Sequence, residues 1–392
     1  MDKTMEIHPT KFPVEKFKGI ETPFYYYDTE LLESTLRCAQ EEAAKHEGYH
    51  IHYAIKANFN PRLLQIINAA GMGADCVSGG EVKAALAAGI PAERIVFAGV
   101  GKTDKEIAAS LDAGIFCFNV ESLPEAELIN ELAAERGKNA SIAIRVNPGV
   151  GAHTHANITT GLAENKFGIN YELLDETIDA IEKLENITLI GLHFHIGSQI
   201  LEMEDFATLC GRINEIQDSL EARGITLPHL NVGGGLGIDY NEPDANNIPG
   251  FATYFATYAD NLKRRPGQQI HFELGRSIVA QCGSLITRVT YIKQGTCKRF
   301  AIVDAGMNDL VRPALYQAYH EIDNLTSTGA KETYDIVGPI CESSDVFAKD
   351  RALPATKRGD ILAIRSAGAY GEAMAFGYNC RELPKSYLST EL

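Results

Sequence analysis

Between residues 50 and 275 the chain repeats one pattern, a short run of β-branched and aromatic residues followed by an amphipathic stretch of helical period. This alternation predicts parallel strands joined by crossover helices, since parallel neighbours need a connection long enough to return over the sheet. The strand runs read IHYAI (51–55), GADCV (73–77), RIVFAG (94–99), IFCFNV (115–120), SIAIRVN (141–147), LIGLHFHIG (189–197), HLNVGG (229–234) and IHFELG (270–275). Between them lie PRLLQIINAAG, GEVKAALAAG, DKEIAASLDAG, LPEAELINELAAERG, LLDETIDAIEKLE, FATLCGRINEIQDSLEARG and FATYFATYADNLKRRP, several closed by a Gly of the kind that stops helices. Eight such strands fit a closed (β/α)8 TIM barrel better than an open sheet.

After residue 276 no long helical period returns. Alternating runs take over, in SLITRVTYIKQG, KRFAIVDAG, TYDIVGPICESSDVFA and RGDILAIRSAGAYG, separated by Gly and Pro turns. They predict a second, β-rich domain of sandwich or barrel-like form. The first 30 residues, with PFYYYD, do not fit the barrel period and are expected to add a strand to it. The expected division is a barrel over 31–275 and a β-rich domain from 1–30 and 276–392.

Hydrophobic residues make up 45% of the chain and charged residues 22%, which excludes a disordered or fibrous chain. Lys and Arg number 36 against 52 Asp and Glu, a formal charge of −16, which argues against a surface built for nucleic acid or anionic lipid. No run approaches the ~18 apolar residues of a membrane span. The eight cysteines contain no C-x-x-C pair, and free thiols in a reducing cytoplasm are expected.

In a TIM barrel, reactive groups gather where the strands end. The first strand leads into Lys56, an amine whose pKa partial desolvation can lower. Standing alone it reads as an ordinary snorkelling or salt-bridged lysine. The sixth ends in HFHIGSQ, whose His193 and His195 are expected on one face of the strand, because side chains repeat every second residue. An H-x-H pair of this kind also suits a metal-dependent hydrolase. The seventh runs into Gly233, Gly234 and Gly235, a tight turn or a cradle of backbone amides for phosphate. The eighth ends in Glu273-Leu274-Gly275-Arg276, whose two charged residues in isolation read as a salt bridge. Taken together, amine, imidazole, glycine turn and carboxylate meet the needs of pyridoxal 5′-phosphate: an amine for its aldehyde, amides for its phosphate, a stacking partner for its ring and an acid for its nitrogen. The metal reading lacks matching ligands at the other strand ends and leaves the glycine turn unexplained, so no metal is expected.

YAIKAN around Lys56, HFHIGSQ (193–199), GGGLG (233–237), ELGRS (273–277), CESSD (341–345) and GAYG (368–371) resemble the fold type III pyridoxal phosphate-dependent decarboxylases. TTGLAENKFGI (159–169), MNDLVRPALYQAYH (307–320) and Cys-Glu-Ser resemble the diaminopimelate decarboxylase branch. Two positions depart from the pattern, Leu274 where Pro is usual and Ser344 where Gly is usual. The resemblance implies that Lys56 carries the cofactor, His195 stacks on its ring and Glu273 meets its nitrogen. Ser198, Gly235, the backbone of Leu274, Gly275 and Arg276, and Tyr370 would hold the phosphate, with Gly233 and Gly234 also at the cofactor and Asp75 nearby. Arg276, Arg312, Tyr316, Glu342 and Tyr370 would contact an amino-acid substrate, and Cys341 would supply a proton. It further implies a homodimer in which Cys341 and Glu342 come from the neighbouring subunit, and conversion of meso-2,6-diaminopimelate to L-lysine and carbon dioxide. Residues 150–166 are expected to form a lid. Decarboxylation of another basic amino acid or carboxylated polyamine, a related racemase, and a homologue without catalysis are the alternatives.

Overall fold

The computed structural model describes residues 10–149 and 166–392, so the expected lid lies, but for Lys166, outside the described residues. Its strands are β1 (Phe24–Tyr27), β2 (Tyr49–Ala54), β3 (Gly73–Cys76), β4 (Ile95–Phe97), β5 (Cys117–Val120), β6 (Ala140–Asn147), β7 (Ile169–Asn170), β8 (Ile187–His193), β9 (His229–Asn231), β10 (Gln269–Leu274), β11 (Gly283–Gln294), β12 (Arg299–Val303), β13 (Ile322–Asn324), β14 (Lys331–Val337), β15 (Val346–Pro354), β16 (Ile361–Ile364) and β17 (Lys385–Leu388).

Strands β2–β6 and β8–β10 run parallel in the order β5-β4-β3-β2-β10-β9-β8-β6, and β5 pairs with β6 to close the barrel. The short β7 adds to the edge of β6. Seven helices stand where the helical period predicts, among them 61–69, 79–87, 104–113 and 203–222. Their ends follow local chemistry. Asn60, Ser78, Thr103 and Ser122 cap orphan amides of the first turns, and Gly114 at φ 70 ends 104–113 in the left-handed conformation that a side chain resists. A further helix, Thr29–Ala43, precedes β2 and lies outside the predicted alternation.

The second sheet runs β13-β16-β11-β12-β14-β15. The run FYYY forms β1, which pairs antiparallel with β11 and parallel with β17. Phe17, Phe24, Tyr26, Ile286, Ile361 and Ala363 form a buried core here. Among the described residues, those within 10–35, 238–249 and 276–392 make one compact unit, and those within 36–149, 166–237 and 250–275 make the other. No helix among the described residues is long and apolar enough to cross a membrane.

The sixth predicted strand is shorter than its sequence suggests. β8 stops at His193, where Phe194 N–H turns aside to donate to Asn231 O at 2.8 Å, so His193 and His195 do not share a strand face. The seventh likewise stops at Asn231, before the glycines.

Candidate active site

In the barrel unit, charged and polar groups collect at the C-terminal ends of the strands. Lys56 sits in the single 3-10 turn Ile55–Ala57 that follows β2, and its Nζ lies 3.9 Å from Asp75 Oδ2 at the end of β3. Asp75 is 1% exposed, and its Oδ1 has no hydrogen-bond partner among the described residues. Burial, with the nearby Glu273 charge, pushes the Asp75 carboxyl well above the usual range against the pull of Lys56.

Glu273 on β10 is held on both carboxylate oxygens. Its Oε1 accepts from Asn231 Nδ2 at 2.7 Å and Asn119 Nδ2 at 3.3 Å, and its Oε2 lies 3.1 Å from His193 Nε2. Burial acts to raise this carboxyl, but the His193 interaction first, and then the Lys56 charge, outweigh it and hold the group ionised below the ordinary range. Sequence reading missed Asn119 and Asn231 altogether. The only signal was position, since each stands on a strand near its C-terminal end and faces inward.

His195 lies past β8, half-buried, with its Nδ1 accepting from Gly234 N–H at 3.4 Å. Burial and then the Lys56 charge pull it well below the ordinary histidine value, so the ring is neutral. The glycine turn is locked to its surroundings. A Cβ on Gly233, at φ 74, would clash with Phe194 O, and one on Gly234 would clash with Glu273 O. Ile200 N–H donates to Gly235 O and Gly237 N–H to Ile200 O, both at 2.9 Å, which ties the Ser198 loop to this turn. A Cβ on Gly275 would press on Ala54 and Ala57, and Leu274 is wholly buried.

The other unit holds a second group. Arg276 Nη1 donates to Tyr240 Oη at 2.6 Å, and Arg312 Nη1 donates to the same oxygen at 2.9 Å. Both arginines are buried, and the Arg276 guanidinium lies 4.9 Å from the centre of the Tyr370 ring. Burial alone would raise the Tyr240 phenol, but the two cations turn the net shift downward. Arg312 also reaches His320 Nε2 at 3.0 Å, and His320 Nδ1 lies 2.8 Å from Arg365 O. Burial and the Arg312 charge pull His320 down to about 3, which leaves it neutral, with Nε2 as acceptor and Nδ1–H as donor. Tyr316 is half-buried and close enough for its charge state to act on Arg276. Neither Tyr240 nor His320 was singled out from sequence, since the bond lies between residues 72 positions apart.

Cys341 and Glu342 lie in the loop before β15. Both are exposed, Cys341 N–H donates to Asn379 Oδ1 at 3.1 Å, and Glu342 accepts from Tyr378 Oη at 2.6 Å and Ser344 Oγ at 3.3 Å. Their loop is fixed from beneath by buried Asp345, which accepts from Ile340 N–H at 2.6 Å and Met307 N–H at 2.7 Å. Ser344, where Gly is usual, serves as one of the donors to Glu342.

The barrel residues fit pyridoxal phosphate: an amine beside a carboxylate with a bare buried oxygen, an ionised carboxylate, a neutral imidazole, and a glycine turn packed too close to Phe194 O, Glu273 O and Gly197 O to admit a Cβ. The family profile of the pyridoxal-dependent decarboxylase, pyridoxal binding domain, matches residues 31–280. A diaminopimelate decarboxylase of Bacteroides thetaiotaomicron is 64% identical over 381 residues, spanning 97% of this chain and 99% of that relative. One of Aquifex aeolicus is 44% identical, over 92% of this chain and 84% of its own length. The crystal structure of the Helicobacter pylori diaminopimelate decarboxylase complexed with L-lysine superposes with a TM-score of 0.90 at 41% identity, covering 96% of this chain and 93% of that one. The chain therefore belongs to the diaminopimelate decarboxylase family of pyridoxal-dependent decarboxylases.

Proposed function

We propose that the chain decarboxylates meso-2,6-diaminopimelate to L-lysine and carbon dioxide with pyridoxal 5′-phosphate, the last step of lysine biosynthesis. The observation that carries the substrate is the pair of buried guanidiniums, Arg276 and Arg312, converging on Tyr240. A substrate with a second amino-acid end presents a carboxylate that two guanidiniums can grip in planar fashion. Ornithine and lysine have no distal carboxylate, and binding them would leave buried cations without an anion.

When bound, pyridoxal phosphate supplies an electron sink for the pair left on the α-carbon as carbon dioxide departs. The Lys56 amine would hold the cofactor's aldehyde carbon, with Asp75 beside it. Glu273, as a carboxylate, would meet the ring nitrogen, and the neutral His195 imidazole would be the stacking partner of the ring. The phosphate would be held by the backbone of Gly235, Leu274, Gly275 and Arg276 with the Ser198 and Tyr370 hydroxyls, while Gly233 and Gly234, whose amides are taken by Asn231 Oδ1 and His195 Nδ1, would shape the turn beside the cofactor. Arg276 and Arg312 take the distal carboxylate, Glu342 the distal ammonium, and Tyr316 and Tyr370 flank the substrate. Cys341 Sγ gives the proton that replaces the lost carboxylate.

The exposure of Cys341 and Glu342 supports a twofold homodimer in which each chain lends these residues to its neighbour's site. The proposed location is the cytoplasm. The test is carbon dioxide release by the cofactor-loaded protein from meso-diaminopimelate beside ornithine, lysine, arginine and carboxynorspermidine. Release from meso-diaminopimelate alone, with L-lysine as product, is expected. Release only from one of the others would keep the cofactor and sink the substrate.

A further inference from the structure

The H-x-H spacing marks His193, yet none of the roles above uses it. Its ring is 1% exposed at the end of β8, with Nε2 3.1 Å from Glu273 Oε2, while Nδ1 is buried and has no partner among the described residues. An ionised Glu273 only accepts hydrogen bonds, so Nε2 must be the donor. Nδ1 is then either a bare lone pair or an orphaned N–H. The bare lone pair costs less, because buried donors without acceptors are the rarer and more expensive case.

We infer that His193, with its proton on Nε2, is the positioning residue of Glu273: it fixes Oε2 while the Asn119 and Asn231 amides fix Oε1, holding the carboxylate as an oriented anion toward the cofactor's ring nitrogen. This rests on the cofactor reading above. Donors on both oxygens leave the carboxylate little freedom to rotate, and β5, β8 and β9 each contribute one of them. Without His193, Oε2 loses its donor inside the barrel, where an unsatisfied charge is expensive. The anion then reverts toward the neutral acid, which cannot keep the ring nitrogen protonated. The two histidines of the motif thus part at the strand end, one serving the carboxylate and the other turning to Gly234.

The first measurement uses 15N-histidine-labelled protein without cofactor at pH about 8, where an ordinary histidine is neutral. Nitrogen shifts placing the His193 proton on Nε2 are expected, and a proton on Nδ1 would overturn the inference whatever the cofactor. The second compares cofactor-loaded variants. In His193→Gln the amide can place an N–H where Nε2 lies, whereas His193→Leu offers none. His193→Leu is expected to move the pH at which the bound cofactor's absorbance changes and to lower kcat about tenfold with KM within about twofold, while His193→Gln restores most of both. Wild-type absorbance and kcat in His193→Leu, or a His193→Gln variant no better than His193→Leu, would overturn it. If the wild-type protein takes up no pyridoxal phosphate, the cofactor reading fails by itself, and the nitrogen shifts still decide the tautomer.

Discussion

At the scale of single residues, the sequence positions and the geometry divide cleanly between what a side chain is and what it touches. Lys56 could be named from YAIKAN, and its nearness to a carboxylate with an unmatched oxygen follows only from β2 and β3 lying side by side. Lys56→Ala is expected to abolish covalent retention of pyridoxal phosphate after borohydride treatment, while retention at the wild-type stoichiometry would remove its role. Arg312 was legible from VRPALYQAY, but its partners were not, since Tyr240 and His320 meet it only in the folded unit. Arg312→Ala is expected to cut meso-diaminopimelate turnover by at least about a hundredfold, with the bound cofactor's absorbance unchanged. Unchanged turnover would show that the distal carboxylate is held elsewhere.

At the scale of elements, the N-terminal ends of the barrel strands carry a histidine chain that sequence reading did not foresee. His52 Nδ1 lies 3.1 Å from Arg94 O, which can only accept, so His52 Nε2 must itself accept from His271 Nδ1–H at 2.9 Å. His271 Nε2 in turn accepts from His229 Nδ1–H at 3.0 Å. Parallel registry sets this order, since β10 lies between β2 and β9. Burial pulls His52 down to about 4. Between that value and about 6.5 the unfolded chain binds more protons than the folded one, so stability falls as pH drops through this window. The loss attributable to His52 is up to about 3 kcal/mol. Unfolding of the cofactor-free protein followed at several pH values should show this slope, and His52→Gln should flatten it; an unaltered slope would place the acid sensitivity in other groups.

At the scale of the whole molecule, the proposed dimer makes a quantitative claim. If each site draws Lys56 from one chain and Cys341 from the other, Lys56→Ala and Cys341→Ala proteins are each inactive alone. Unfolded together and refolded as a mixture, half of the dimers are hybrids with one intact site, so activity should recover to about a quarter of wild type. No recovery, with hybrids demonstrated by mass, would place both residues in one chain's own site. The alternation of strand and helix, the glycine turns and the reactive residues at strand ends are local in sequence, and hydrophobic period and turn chemistry determine them without knowledge of the fold. The sequence therefore determined the barrel and the separate β-rich domain, and it marked Lys56, His195 and Glu273 as candidates at the strand ends. Only the tertiary structure decided where β8 stops, which amides and imidazole hold Glu273, and which phenol joins the two arginines. Those contacts span 36 to 154 positions, and hydrogen-bond partners at such separations are chosen by packing and closure of the sheet, not by any pattern along the chain.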